Sequence, residues 1–269
     1  MEIEKIKEIL LNQSHLNCSL MNLNLLAGDA SSRKYYRLTC NNNQYITCID
    51  NTQDAGINKN FLEKQKYLKE QGIHVPAIIF HLDNILVQED LGDETLLQKL
   101  SIIDSLEEEK KIYQDVVDNL VELHNIKIDS AQDVVTLFFD QEKLMQEIQM
   151  TTQYFLRFFL KSSESDIQAV EKYFDEIVSQ IVSKKNVFTH RDFHSRNILF
   201  KNNQFVMIDF QDARWGTPQY DLASLLHDCY YNLDSENTEY LINYYYTKRK
   251  NYLSDYKDYS EFRYFYDLM

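Results

Sequence analysis

Asp192, Asn197 and Asp209 are the three side chains whose types and spacing point most directly to chemistry. They lie in Thr189-His190-Arg191-Asp192-Phe193-His194-Ser195-Arg196-Asn197-Ile198-Leu199-Phe200, followed by Met207-Ile208-Asp209-Phe210. Phosphoryl transfer asks little covalent work of a protein. It needs a carboxylate to orient and deprotonate the attacking hydroxyl, and metal ions to neutralise charge on the phosphates. Asp192 and Asn197 stand five residues apart on one loop, so a base and a metal ligand can face the same pocket. The Asn202-Asn203 turn folds the chain back, which lets Asp209, at the end of the next strand, supply a second ligand. Oxygen ligands of this kind suit Mg²⁺. The alternative is a chance loop beside a hairpin with solvated carboxylates, which the order of the surrounding elements disfavours.

Those elements fall into two groups. Residues 2–11 read as an amphipathic helix, followed by strands over Leu20–Leu26, Arg33–Cys40 and Gln44–Ile49, with turn signals at Gly28–Ser32 and Asn41–Asn43. Phe61–Glu70 has helical periodicity and stops at Gly72 before Pro76. Ala77–Phe80 and Ile85–Gln88 form a hairpin around Asp83-Asn84. Beyond Glu89-Asp90-Leu91-Gly92 the pattern becomes helical: Ser105–Asn125, Gln141–Leu160 and Asp166–Ser183, a short β-rich island at Ile198–Phe200 and Phe205–Ile208, then helices from about Tyr220. The predicted domains are a β-rich nucleotide-binding lobe over 1–90 and a larger helical lobe over 91–269, which carries the catalytic loop and the acceptor pocket.

Composition narrows the partners. Hydrophobic residues make up 44% of the 269, enough for a folded core, and only five Gly and two Pro leave little room for long linkers. The formal net charge of −14 repels nucleic acid and anionic membrane, so neither is an expected partner. It also repels ATP, so a nucleotide site needs a divalent cation and local Arg or Lys. MEIEKIKEIL lacks the apolar stretch of a signal peptide, and no run approaches a membrane span. Cys18, Cys40, Cys48 and Cys229 show no metal or redox spacing and read as reduced thiols of a cytoplasmic protein.

His-x-Asp-x-His-x-x-Asn followed by a strand and Ile-Asp-Phe resembles the aminoglycoside phosphotransferase and choline kinase branch of the protein-kinase-like fold. The resemblance implies an α+β, bilobal fold, with a small antiparallel β-sheet N-lobe and a larger, mostly helical C-lobe. It implies ATP and Mg²⁺ as cofactors, Asp192 as catalytic base, and Asn197 and Asp209 as metal ligands. His194 separates this branch from protein kinases, and His190 and His194 are expected to support the loop. Tyr220-Asp221-Leu222-Ala223 matches the family's downstream Asp-Leu-Ala, which makes Asp221 a structural support of the catalytic-loop backbone, with a plain helix N-cap as the alternative. Glu89 and Leu91 fall where the family's hinge meets the adenine edge, with capping of the next helix as the alternative for the hinge side chains.

Leu26–Arg37, Val75-Pro76, Gln88–Asp93 and Asp209–Ala213 are together similar to one subgroup, the bacterial anomeric kinases that phosphorylate N-acetylmuramate and N-acetylglucosamine at C1 in cell-wall recycling. On that resemblance Gly28, Ser31 and Ser32 offer backbone N–H groups and hydroxyls to the phosphates, with a plain hairpin turn as the alternative. The third strand, Gln44–Asp50, lacks the usual kinase Lys. Arg33 or Arg37 is expected to supply the missing charge, with a solvated strand face as the alternative. Gln211 and Asp212 are candidates for sugar hydroxyls, and Arg157, Arg191, Arg196 and Arg214 for a lactyl carboxylate; ordinary loop hydrogen bonds and ion pairs are the alternatives. Trp215, the single tryptophan, is expected in the core rather than against a sugar.

The expected function is therefore an ATP-dependent small-molecule phosphotransferase acting on the anomeric hydroxyl of an amino sugar. The alternatives are a kinase for another hydroxyl acceptor (aminoglycoside, choline-like alcohol or other sugar) or a nucleotide-binding pseudokinase. A monomer is the simplest expectation. Tyr264–Met269 forms an apolar helical run without a stop signal, whereas chains of the subgroup continue, so either a shortened relative or a fragment is expected.

Overall fold

Alternating apolar residues and asparagine turns build a five-stranded antiparallel sheet in the first half of the chain. Its strands are β1 (Met21–Leu25), β2 (Arg33–Cys40), β3 (Asn43–Asp50), β4 (Ile78–Leu82) and β5 (Ile85–Glu89), in the order β1-β2-β3-β5-β4. The computed structural model describes residues 3–13, 16–26, 33–50, 56–127 and 135–269. Asn41 and Asp83 take φ of 55° and 50° in the β2–β3 and β4–β5 turns, a left-handed conformation that Asn and Asp tolerate better than other side chains. Helix α1 (Ile3–Gln13) buries Ile6 and Leu10 with Leu23, Tyr36, Leu38, Ile49, Ile85 and Val87, which closes one face of the sheet. Helix α2 (Gly56–Glu70) follows β3.

The β1–β2 register sets Met21 opposite Cys40, so the chain just before β1 passes beside that cysteine. Cys18 and Cys40 are joined as a disulfide with Cα atoms 5.2 Å apart, which corrects the expectation of four reduced thiols. Only a non-local strand pairing brings the two together, so spacing in the sequence gave no sign of it. Cys48 and Cys229 are free.

The remaining elements are α3 (Leu96–Leu100), α4 (Leu106–His124), α5 (Gln141–Thr151), α6 (Glu164–Ile181), β6 (Val187–Thr189), the hairpin β7 (Ile198–Lys201) and β8 (Gln204–Met207), β9 (Arg214–Gly216), α7 (Pro218–Leu226), α8 (Ser235–Arg249) and α9 (Tyr259–Leu268). Thr95 and Gln98 form a capping box at α3, and Ser105, Asp140 and Ser163 cap α4, α5 and α6. Helix α4 buries Ile112, Val116, Val117 and Leu120 along one stripe and packs on α8. Two compact units result: residues 1–94 with 199–211, and residues 95–198 with 212–269.

The sequence reading predicts one helix over 141–160. The chain instead widens into a π-helix at Thr152–Phe159, with the Leu160 N–H donating to Phe155 O at 2.9 Å. Thr152 is tied to α6 by a 2.7 Å hydrogen bond from its hydroxyl to Glu171. In this stretch Tyr154 stands near Phe158 and Phe155 stacks on Phe159, and all four rings are half exposed or more.

Candidate active site

The loop from His190 to Asn197 is held in shape by hydrogen-bond partners from three sides. Strand β6 is fully buried and delivers the chain to His190. Asp221, at the first turn of α7 and 0% exposed, accepts the N–H of His190 at 2.6 Å and of Arg191 at 2.9 Å. That grip holds Arg191 at φ 82°, a conformation that costs a non-glycine residue about 1 kcal/mol. The Asp192 N–H points at His190 Nδ1 at 3.3 Å. Asp228 accepts Ser195 N–H at 2.7 Å, and Ser195 O accepts Leu97 N–H at 3.1 Å.

Within the loop, Asp192 O accepts both His194 N–H at 3.1 Å and Asn197 Nδ2 at 3.0 Å. The Asn197 amide nitrogen also lies 3.3 Å from His194 Nε2. The nitrogen is thus committed to the loop, and the amide oxygen is the end suited to a cation. Asp192 itself is partly exposed. The ring of His190 packs edge-on against Phe193 and that of His194 against Tyr230.

Asp221 is anchored in turn. His124 Nε2 lies 3.2 Å from its carboxylate, His124 Nδ1 lies 2.6 Å from the Tyr245 hydroxyl, and Arg249 Nη1 donates to that hydroxyl at 2.9 Å. Because Arg249 fills the acceptor side of Tyr245, the Tyr245 proton goes to Nδ1 and the Nε2 proton to Asp221. Burial outweighs the attraction of Asp221 and lowers the His124 pKa to about 4. The folded value lies below that of the unfolded chain, about 6.5, so the unfolded chain binds the proton first. Stability is then complete above that value and is lost as pH falls toward 4, by at most roughly 1.4 kcal/mol per pH unit. Urea midpoints measured between those limits are expected to fall with pH, and His124→Gln is expected to flatten the slope.

The candidate acceptor residues are largely occupied. Arg191 pairs with Glu147 at 3.4 Å and with Asp212 at 3.3 Å. Arg214 is buried, lies over the Phe139 ring at 4.9 Å and donates to Asp212 O at 3.2 Å. Burial, reinforced by the nearby Arg191 charge, lowers its pKa. Arg196 is exposed and lies over Tyr230 at 4.9 Å. Arg157 is exposed and pairs with Glu164. Trp215 is buried, with its Nε1 donating to Val135 O at 2.8 Å, so it is a core residue as expected.

In the other unit, Asp209 follows β8 at φ 65° and accepts Gln211 Nε2 at 2.7 Å. Phe210 is fully buried and stacks on Phe61 of α2 at 4.8 Å. Glu89 ends β5 and pairs with Lys201 at 3.2 Å, Lys201 also donates to Asp90 O at 2.5 Å, and Leu91 is buried. Arg37 cannot serve phosphates as the sequence reading allows, because its guanidinium is committed to Asp90 at 2.6 Å and Asp93 at 2.7 Å. Arg33 lies 3.4 Å from Asp50. Gly28, Ser31 and Ser32 lie outside the described residues. Asp228, Lys201 and Lys64 of α2 were not anticipated. Each acts through partners distant in sequence, so no local pattern marks them.

The sequence pattern of the phosphotransferase enzyme family matches residues 22–261. The chain belongs to that family. This phosphotransferase is 27% identical over 233 residues to an N-acetylmuramate/N-acetylglucosamine kinase of Neisseria meningitidis serogroup B, covering 85% of the chain and 68% of the relative. It is 26% identical to the protein of the same name from Pseudomonas aeruginosa, covering 82% and 64%. The chain thus spans about two thirds of the length of these relatives. Among solved structures, the ADP-bound aminoglycoside phosphotransferase APH(2'')-Ib superposes with a TM-score of 0.69 at 21% identity, covering 94% and 85% of the two chains. An ethanolamine kinase of Plasmodium vivax gives 0.68 at 15%, covering 100% and 80%. These likenesses establish the protein-kinase-like α+β fold.

Taken singly, the Asn197 amide oxygen and the Asp209 carboxylate are each a donor of the kind a hard cation takes. An amide oxygen with its nitrogen engaged and a carboxylate are oxygen ligands, and Mg²⁺ takes only one or two from protein while keeping water and phosphate. Among the described residues no group of three or more His, Cys, Asp or Glu side chains gathers as a metal cage.

Proposed function

We propose that this phosphotransferase transfers the γ-phosphoryl group of ATP to the anomeric hydroxyl of N-acetylmuramate or N-acetylglucosamine. The observation that carries the reading is the pinned loop, in which a base and a ligand amide are locked together by the Asp192 carbonyl. The names of the curated relatives support the acceptor class. Asp192 takes the proton as the sugar oxygen attacks phosphorus, the bond from the γ-phosphorus to the bridging oxygen breaks, and ADP leaves. The anomeric hydroxyl is more acidic than an ordinary sugar alcohol, which suits a carboxylate base. Asn197 and Asp209 are assigned as the ligands of Mg²⁺, which when bound neutralises charge on the phosphates. Asp209→Ala is expected to abolish Mg²⁺-dependent nucleotide binding; titration calorimetry showing wild-type affinity would remove that assignment.

Glu89 and Leu91 are assigned to the adenine edge, and Gly28, Ser31, Ser32 and Arg33 to the phosphates. Gln211 and Asp212 are assigned to sugar hydroxyls, and Arg196 and Arg214 to a carboxylate of the acceptor. The reading includes a monomer in the cytoplasm, with neither nucleic acid nor membrane as partner. No helix among the described residues is long and apolar enough to cross a membrane. Disulfides are uncommon in the cytoplasm. Asn41 Oδ1 accepts from Ser19 N–H and Leu20 N–H at 3.0 and 3.2 Å, and its Nδ2 donates to Asn17 O at 2.9 Å, so this segment is held even with Cys18 and Cys40 reduced.

The deciding experiment is one incubation of protein, Mg²⁺, ATP and N-acetylmuramate, read by NMR for a sugar phosphate at C1. Turnover of an aminoglycoside or a choline-like alcohol, with none of either amino sugar, would replace the acceptor. ATP binding without any turnover would favour a pseudokinase.

A further inference from the structure

Helix α2 carries a buried cation. Lys64 is 3% exposed, whereas Lys59, Lys66 and Lys69 of the same helix are solvated. Its ammonium donates to the main-chain oxygen of Gln211. Phe61, three residues earlier and on the same helix face, stacks on Phe210. The Gln211 side chain in turn donates to the Asp209 carboxylate at 2.7 Å. Three consecutive residues are therefore each held at a different group: the Asp209 carboxylate, the Phe210 ring and the Gln211 carbonyl.

This segment needs such restraint. Asp209 sits at φ 65°, a conformation unfavourable to a side chain with a Cβ, so the turn persists only where neighbours over-determine it. Burying an ammonium is expensive unless strong acceptors meet it, and here its acceptors include the carbonyl two residues past Asp209. Kinases place a Lys on the third strand and its Glu partner on the following helix. In this chain β3 has no Lys, and the helix bears the cation.

We propose that Lys64 is a positioning residue that ties α2 to the segment 209–211 and holds Asp209 in its ligating conformation. The assignment rests on the reading of Asp209 as a metal ligand. The tie itself can be tested without that reading, by hydrogen exchange of the full chain free of nucleotide. Lys64→Met, which keeps the length and removes the donor, is expected to speed exchange of amides 209–212 about tenfold, the factor for one hydrogen bond to a charged group. Exchange in α4 should not change. Lys64→Arg, which keeps a cationic donor, should restore part of the protection. In turnover assays Lys64→Met should raise the Mg²⁺ concentration needed for half-maximal rate more than it lowers kcat at saturating Mg²⁺. Unchanged exchange at 209–212 in a folded Lys64→Met chain would overturn the proposal. Should that variant lose protection throughout β2 and β3, Lys64→Gln carries the same test, with local loss at 209–212 as the supporting result and none as the opposing one. If the wild-type chain binds no Mg-nucleotide, the ligand reading fails whatever the exchange shows.

Discussion

Asp192→Asn is expected to lower kcat by about 10²–10⁴-fold, the contribution of a positioned general base, with nucleotide affinity nearly unchanged. The substitution keeps the size of the side chain and removes its ability to take a proton. Asp192 is tied into its loop through main-chain groups: its N–H meets His190 Nδ1, and its C=O accepts from His194 and Asn197. Those ties survive the change, so the loop should keep its shape and Asn197 its orientation. Steady-state rates with an accepted hydroxyl substrate, set beside calorimetric ADP binding, separate the two effects. A variant with wild-type kcat would remove Asp192 as the base.

Asp221→Ala should act through the fold instead. The carboxylate is fully buried and accepts from two consecutive loop amides and from His124. Removing it leaves three donors facing a void, and a buried donor left unsatisfied costs about 1–3 kcal/mol each. That is a large share of the roughly 5–15 kcal/mol that holds a domain together. It also releases Arg191 from its left-handed conformation, so activity should fall with stability. Urea unfolding and kcat are measured on the same samples. The Asp192 variant should shift only kcat, and the Asp221 variant both. An Asp221→Ala chain with an unchanged urea midpoint would show that the loop is held by other means.

Features governed by local chemistry were readable in the sequence. Strand β2 falls on Arg33–Cys40 as expected, because apolar alternation and an asparagine turn fix its ends. Helix α4 lies between Ser105 and Asn125, the two residues at the ends of the predicted segment. The loop histidines and Asp221 were picked out by a spacing that matches a family pattern. What escaped was set by partners far along the chain. The pairing of β6 with β9 joins residues about 187 and 216, and neither three-residue strand has a pattern of its own. Arg37 looked available until Asp90 and Asp93 closed on it. In Tyr154–Phe159 five of six residues are apolar, so no helical period can be read there and the widening went unseen.

That widened turn also governs how the molecule behaves in crowded solution. Tyr154, Phe155, Phe158 and Phe159 meet water with half or more of their surface, in a chain whose −14 charge otherwise keeps copies apart. Salt screens electrostatic repulsion, which fades beyond about 10 Å at 0.1 M, whereas the contact attraction between apolar rings is not screened by salt. Concentrated or salty preparations therefore lose their safeguard where the rings protrude, and self-association should begin at that strip.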